Sequence, residues 1–247
     1  MQNPRINLHI HSNYSDGKNS IEKIIKKAIS ESLEYIAITD HFTNSWKADI
    51  IPSLDTISKI DKYRNEISMC QSYLKKRNEK LQVFTGVEID LGSSKDYILE
   101  HIKPEDYDII LFEYLESLES IAFVKSLLVL WRKITSPNKP FPLLGIAQFD
   151  PSYFLYQGLQ VLINFLLENE IFIELNSSYS QYYSRKYSLF YEKVKEAEII
   201  VSIGCDSHDT NRLVDINGPW EAIKDYLLQN NLFQLIRKIN NIERQRE

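Results

Sequence analysis

Five histidines occur in the 247-residue chain, and four of them, His9, His11, His41 and His208, close a run of apolar residues. In INLHIHSNYSDG the first two stand two apart, and Asp16 follows in an acidic turn. CDSH repeats the spacing with Asp206 and His208 after the run IIVSIG, while ITDH ends on His41 and GVE on Glu88. Side chains two apart on an extended strand project to the same face. Imidazole and carboxylate are the donors that divalent first-row metals take, so the chemistry these positions can do is to bind metal. An isolated HxH is equally a polar strand face, and SDG is also a generic turn. The argument for ligands is the recurrence: a core or surface role would scatter the histidines rather than set four of them at strand ends. The fifth, His101 in LEHIKPED, reads as an exposed loop residue.

Strands that could present these groups are expected over residues 6–12, 35–41, 82–90, 107–115, 142–150, 172–178 and 199–208, seven in all. Helical spacing fills the intervals. SIEKIIKKAISESL aligns Ile21, Ile24, Ile25, Ala28, Ile29 and Leu33 behind Ser20, a plausible N-cap. LDTISKIDKYRNEISMCQSYLKKRNEK, SIAFVKSLLVLWRKI, LQVLINFLLEN, SRKYSLFYEKVKEAE and PWEAIKDYLLQNN follow the same pattern, and LIRKINNIERQRE reads as a fraying charged helix end. Strand followed by helix, repeated, is α/β patterning. It predicts a closed or nearly closed parallel barrel with its chemistry at the C-terminal strand ends, with a doubly wound open sheet as the alternative. Only 7 glycines and no linker or repeat interrupt the chain, so one domain over residues 1–247 is expected.

A hydrophobic fraction of 43% and a charged fraction of 26% argue against disorder. With a net charge of -5 and both signs interspersed, wrapping around nucleic acid is not expected. Two distant cysteines, Cys70 and Cys205, argue for a reducing compartment, with the cytoplasm as the default. No basic, apolar leader opens the sequence, and no stretch reaches the roughly 18 apolar residues of a membrane span.

Taken in order, HIHSNYSDG, ITDH, GVE and GCDSH resemble the signature of the PHP (polymerase and histidinol phosphatase) superfamily of metal-dependent phosphoesterases, from residue 6 to residue 210. The resemblance implies a distorted, TIM-like (β/α)7 barrel with two or three divalent ions, Mn, Zn, Fe or Mg. It implies His9, His11, Glu88 and Asp206 as ligands of a first ion, Glu88 bridging to a second, and Asp16, His41 and His208 as ligands of a third. Glu88, Asp206 and His208 then belong to the catalytic centre, where hydroxide is held between the first and second ions. Asp40 is expected to orient a ligand imidazole by a hydrogen bond.

The pattern departs from the family at the second ion, where Leu115 and Gln148 stand at the positions of two family histidines. Two readings stay open: the second site has decayed, or an oxygen-rich set of Glu88, Glu113, Gln148 and Asp150 replaces it and favours Mn or Mg over Zn. For the substrate phosphate the resemblance implies a basic residue after ELNSS, here Arg185 or Lys186, which equally read as a solvated helix start; Arg212, otherwise a helix cap, and Asn176 and Ser177 at a strand end are further candidates. Tyr179, Tyr182, Tyr183 and Tyr187 are either a wall for a ring-bearing substrate or packing, and Trp131, Arg132 and Lys133 read as a structural helix end. The expected function is hydrolysis of a small phosphomonoester, histidinol phosphate being one example. A phosphodiesterase or exonuclease and a degenerate, non-catalytic binding barrel are the alternatives.

Overall fold

The computed structural model describes residues 4–246; residues 1–3, where the stretch read for a leader begins, and residue 247 at the charged end lie outside the described residues. The elements run β1 (Ile6–Ile10), α1 (Ile21–Ser30), β2 (Tyr35–Ile38), β3 (His41–Phe42), α2 (Ile57–Arg77), β4 (Gln82–Asp90), α3 (Lys95–His101), β5 (Ile109–Glu113), α4 (Leu118–Ile134), β6 (Leu143–Ile146), α5 (Ser152–Leu155), α6 (Leu159–Asn169), β7 (Phe172–Asn176), α7 (Ser188–Glu196), β8 (Val201–Gly204), α8 (Asn217–Asp225) and α9 (Gln229–Arg246).

All pairings are parallel, in the order β1-β2-β4-β5-β6-β7-β8, with β3 also on β4. β2 and β3 are one interrupted strand, because Ile38 faces Thr85 and His41 faces Glu88 in unbroken register. The ends of the sheet meet where His11 N donates to Ser207 O (3.0 Å) and Ser207 N to His9 O (3.2 Å). That junction makes the sheet a nearly closed, distorted TIM-like barrel rather than the open, doubly wound alternative. Strands covered on both faces must be apolar almost throughout, and all five residues of β1 and of β5 are buried. Outside them, α1 lays Ile21, Ile24, Ile25 and Ala28 on the barrel behind Ser20, whose hydroxyl accepts from Lys23 N. On α4, Trp131 is fully buried over Phe112, and Arg132 turns outward to Asn169, so this helix end is structural.

Most strands stop short of the apolar runs that announced them. β5 ends at Glu113 rather than residue 115, β6 at Ile146 rather than 150 and β8 at Gly204 rather than 208. Soon after each of these ends comes a left-handed residue, Tyr114 (φ 66), Gln148 (φ 52) or Asp206 (φ 49). The apolar residues that follow, Leu115 and Phe149 among them, are buried without being paired in the sheet. Two further expectations are corrected. His101 is not on a loop: it closes α3, half-buried beside Tyr97 and bonded to the Tyr97 carbonyl. The segment read as a fraying end belongs to α9, which buries Leu232, Leu235 and Ile239.

Tyr63 of α2 reaches the sheet beside the interruption, its buried hydroxyl 2.6 Å from the Ile38 carbonyl and 2.8 Å from that of Gly86. Tyr63→Phe removes the buried hydroxyl that both carbonyls share and is expected to lower stability by about 1–3 kcal/mol, read by urea unfolding.

Candidate metal centre

The side chains that gather at the C-terminal mouth of the barrel come from five strands or the turns that follow them. His9 lies on β1 and His11 just past it; His41 on β3 stands opposite Glu88 on β4, and Asp90 of β4 opposite Glu113 on β5. Asp206 and His208 follow β8. Asp16 rides on the turn after β1, and that turn is held by Asp40, which accepts from Ser12 N (2.8 Å), Ser12 Oγ (2.6 Å), Ser15 N (3.1 Å) and Ser15 Oγ (2.5 Å). Asp40 therefore does not bond an imidazole as expected. Its carboxylate is spent on the turn, and it reaches His11 only through Ser15 Oγ, 3.4 Å from Nδ1.

Three overlapping groups have ligand atoms within 4.8 Å of one another: His9, His11 and Asp206; His11, Asp16, His41 and His208; and His41, Glu88 and Glu113. Glu88 joins them, with Oε1 3.2 Å from His9 Nε2 and Oε2 2.9 Å from His41 Nδ1 and 3.4 Å from His11 Nε2. His9 Nε2 and His11 Nε2 face each other at 3.0 Å, a separation at which they hold at most one proton between them. His11 Nε2 is 3.1 Å from Asp206 Oδ1, and His208 Nε2 is 3.1 Å from Asp16 Oδ1. Both Glu88 oxygens, Asp206 Oδ1 and Asp16 Oδ1 are nonetheless buried without a hydrogen bond. Buried acceptors normally find donors. Close approach without hydrogen-bond geometry is what ligand atoms aimed at shared points produce, so these residues fit divalent ions.

Electrostatics express the same demand. Burial opposes charge on His9, but Glu174, Glu88 and Asp206 outweigh it and hold its pKa well above the usual imidazole value. His11 is pushed down, first by burial and then by His41. Burial favours the neutral form of Glu88, yet His9 and His41 keep it well below the carboxylate range. Asp206 is held low against burial by His9 and His11. At the mouth, Asp16 falls to about 2 against burial, chiefly through the His208 imidazole beside it and then His41. His208 rises to about 9, because the adjacent Asp16 carboxylate and the Asp206 charge overcome burial. Burial and the adjacent Glu88 push Glu113 up to about 8 against the pull of His41 and Lys47. Clustered carboxylates here rely on imidazole protons for the positive charge that a metal ion would supply.

Sequence reasoning missed Glu174 and Lys47. Glu174 Oε1 accepts from His9 Nδ1 at 2.8 Å, which leaves Nε2 free for a ligand role. Glu174 Oε2 accepts from Asn176 Nδ2 and from Gln148 N, both at 3.0 Å. Asn176, expected to touch substrate, thus steadies Glu174. A lone carboxylate in the apolar strand FIELN was the signal that could have revealed it. Gly204 makes the contact possible, since a Cβ there would collide with Glu174 Oε1 and His9 Cβ. Lys47 Nζ lies 2.6 and 2.7 Å from the two Glu113 oxygens, and a lysine in the loop sequence TNSWKAD carried no signal of it.

The oxygen-rich replacement set does not assemble as the expected alternation required. Glu113 reaches Glu88 and His41, but Tyr114 turns left-handed and sends Leu115 into the core. Gln148, also left-handed, donates from Nε2 to Asp206 Oδ2 at 2.9 Å. Asp150 caps the turn into α5 by accepting from Ser152 N. Arg185 lines an outer hollow with Glu192, Glu221 and Asp225; Lys186 stands over the Tyr187 ring; Arg212 bonds Ser178 Oγ and Asp215. Ser177 Oγ is buried without a partner. Of the tyrosines, Tyr187 is buried and packs, and Tyr179 and Tyr182 stack at 5.6 Å beside Gln148, Asp150, Tyr114 and Tyr153 around a hollow of about 130 Å³. Burial, then Asp206 and Glu88, raise the Tyr179 phenol.

The PHP domain family matches residues 7–237. The chain belongs to the PHP family. Among solved structures, the fold resembles histidinol phosphate phosphatase (HisK) from Lactococcus lactis subsp. lactis Il1403, in complex with zinc, L-histidinol and phosphate. The TM-score is 0.60 at 18% identity, over 90% of this chain and 94% of that one. No curated protein matches the sequence. Among the described residues, no helix is long and apolar enough to cross a membrane.

Two outcomes follow for this PHP barrel. The pKa of His208 rises on folding, so its stabilising contribution is fully present below the unfolded value of 6.5 and is lost as pH climbs through about 9. Thermal unfolding of chelated protein should show stability falling across that window, and added divalent metal should flatten the slope. Gly204→Ala is expected to displace Glu174 from His9 and to weaken metal affinity by about 10–100-fold, measured by chelator competition.

Proposed function

We propose that this PHP protein is a metal-dependent phosphoesterase acting on a small phosphomonoester. The observation that carries the reading is the set of buried carboxylate oxygens of Glu88, Asp206 and Asp16, each beside an imidazole nitrogen yet without a hydrogen bond. His9, His11, Glu88 and Asp206 would hold one ion, and Asp16, His41 and His208 another. Such ions lower the pKa of a bound water and offset charge on phosphoryl oxygens. The protein's own part is to orient these ligands: Glu174 fixes the His9 ring, Gln148 fixes Asp206, and the Asp40 clamp on Ser12 and Ser15 fixes the turn bearing Asp16. Tyr179 and Tyr182, with Asp150 near them, form a hollow of about 130 Å³ that suits a small leaving group better than a polymer. The net charge of -5 argues the same way against nucleic acid. The L-histidinol and phosphate bound to the Lactococcus protein make an amino-alcohol phosphate the first substrate to try.

Purified protein loaded with Mn, Zn or Fe is expected to release inorganic phosphate from a panel of amino-alcohol, sugar and nucleoside monophosphates. His9→Ala and Asp206→Asn should each lose roughly 100-fold or more in kcat/KM, equivalent to the few kcal/mol that an ion supplies to the transition state. Inactivity toward every ester with every metal would overturn the proposal.

A further inference from the structure

The corner of the centre formed by His41, Glu88 and Glu113 already contains a cation from the chain. Lys47 Nζ contacts both oxygens of Glu113, at 2.6 and 2.7 Å, and its side chain is only 12% exposed. A buried ammonium and a buried carboxylate tolerate burial only when paired, and here each is the other's close partner. The placement is built, not incidental. Residues Trp46–Asp49 make one tight turn, and Ser45 Oγ accepts from Lys47 N at its start. Ser45 Oγ also donates to Asp90 Oδ2, as does Thr43 Oγ1 at 2.8 Å, while Asp90 Oδ1 accepts from Gly92 N at 2.7 Å. Asp90 is buried at the end of β4, directly opposite Glu113 in the sheet. The strand pair that supplies the acceptor thus also anchors the loop that supplies the donor. On its other side the ammonium lies 5.3 Å from the centre of the Tyr114 ring, a favourable seat for a cation. Tyr114 is brought there by the same left-handed turn that carries Leu115 into the core.

A divalent ion at this corner would need Glu113, whose oxygens Lys47 takes, and would stand against a like charge. Gln148 Nε2 donates to Asp206 Oδ2, on the side of the first ion. We propose that Lys47 takes the place of a second ion, so that the protein holds two divalent ions, one at His9, His11, Glu88 and Asp206 and one at Asp16, His41 and His208, with the ammonium as the cation of the Glu88 and Glu113 corner. The inference rests on the metal-centre reading above, but it concerns how many ions are bound rather than what is hydrolysed.

The test counts metal in the full-length protein equilibrated with Mn or Zn, by native mass spectrometry and elemental analysis, without reading activity. Wild type is expected to hold two ions. Glu113→Gln, which removes a carboxylate that the proposal assigns to Lys47, should leave the count at two and both affinities within about twofold. Lys47→Met frees Glu113 and should admit a third ion at millimolar metal, while Lys47→Arg, which keeps the cation, should stay at two. Three ions on wild type, an ion lost or weakened tenfold or more in Glu113→Gln, or a folded Lys47→Met that stays at two would overturn the inference. If Lys47→Met does not fold, Glu113→Gln and the wild-type count still decide. A protein that binds two ions but cleaves no phosphate ester sinks the phosphoesterase reading and leaves this inference standing; one that cleaves esters with three ions does the reverse; one that binds no ion overturns both.

Discussion

Glu88 is a carboxylate buried at the mouth of a parallel barrel with no hydrogen-bond donor for either oxygen, and the rest of the centre follows from that. An isolated buried carboxylate is too costly to keep ionised, so positive or proton-bearing groups must converge on it from several strands. His9, His11 and His41 do so from β1 and β3, each within 3.4 Å of a Glu88 oxygen. A barrel suits this demand. Parallel strands end together, and the junction of β1 with the residues after β8 brings the first histidines beside Asp206, nearly two hundred residues later in the chain.

Acidic groups that belong to none of the clustered sets do much of the positioning. Asp40 gathers Ser12 and Ser15, Asp90 gathers Thr43, Ser45 and Gly92, and Glu174 gathers His9, Asn176 and the Gln148 amide. Asp40 and Asp90 are buried at or just past a strand end, Glu174 in the middle of β7, and each satisfies a backbone donor of a neighbouring loop that would otherwise be left unpaired. Loop order and ligand order are therefore one problem. The turn bearing Asp16, the loop bearing Lys47 and the ring of His9 are all held by carboxylates already committed to the scaffold.

Alternation along the strands made Ile, Leu and Val runs and their terminal His, Glu and Asp residues legible, because side-chain period and burial are local properties. His9, His11, His41, Glu88, Asp206 and His208 could be picked out in this way, Asp16 only through its place after HxH and the resemblance to the PHP signature, and the structure brings all seven together. The same alternation failed for Leu115, Gln148 and Asp150. It presumes an extended backbone, and Tyr114, Gln148 and Asp206 are left-handed; one such residue redirects every side chain after it. Apolar content does not reveal the turn, because Leu115 and Phe149 are buried whether or not they are paired in the sheet.

By itself, then, the amino-acid order determined the alternation of parallel strands and helices, through their periodicity, and most of the histidine and carboxylate cluster, through residue type at strand ends, while closure of the sheet into a barrel was left to the tertiary structure. Tertiary structure alone decided the partners: Glu174 for His9, Gln148 for Asp206, Asp40 for a turn rather than an imidazole, Asn176 for Glu174, and Lys47 for Glu113. Apart from Asn176 and Glu174, two apart on β7, these pairings join segments about 25 to 165 residues apart, set by the closure of the sheet and by left-handed turns at its rim. Neither leaves a periodic trace in the sequence.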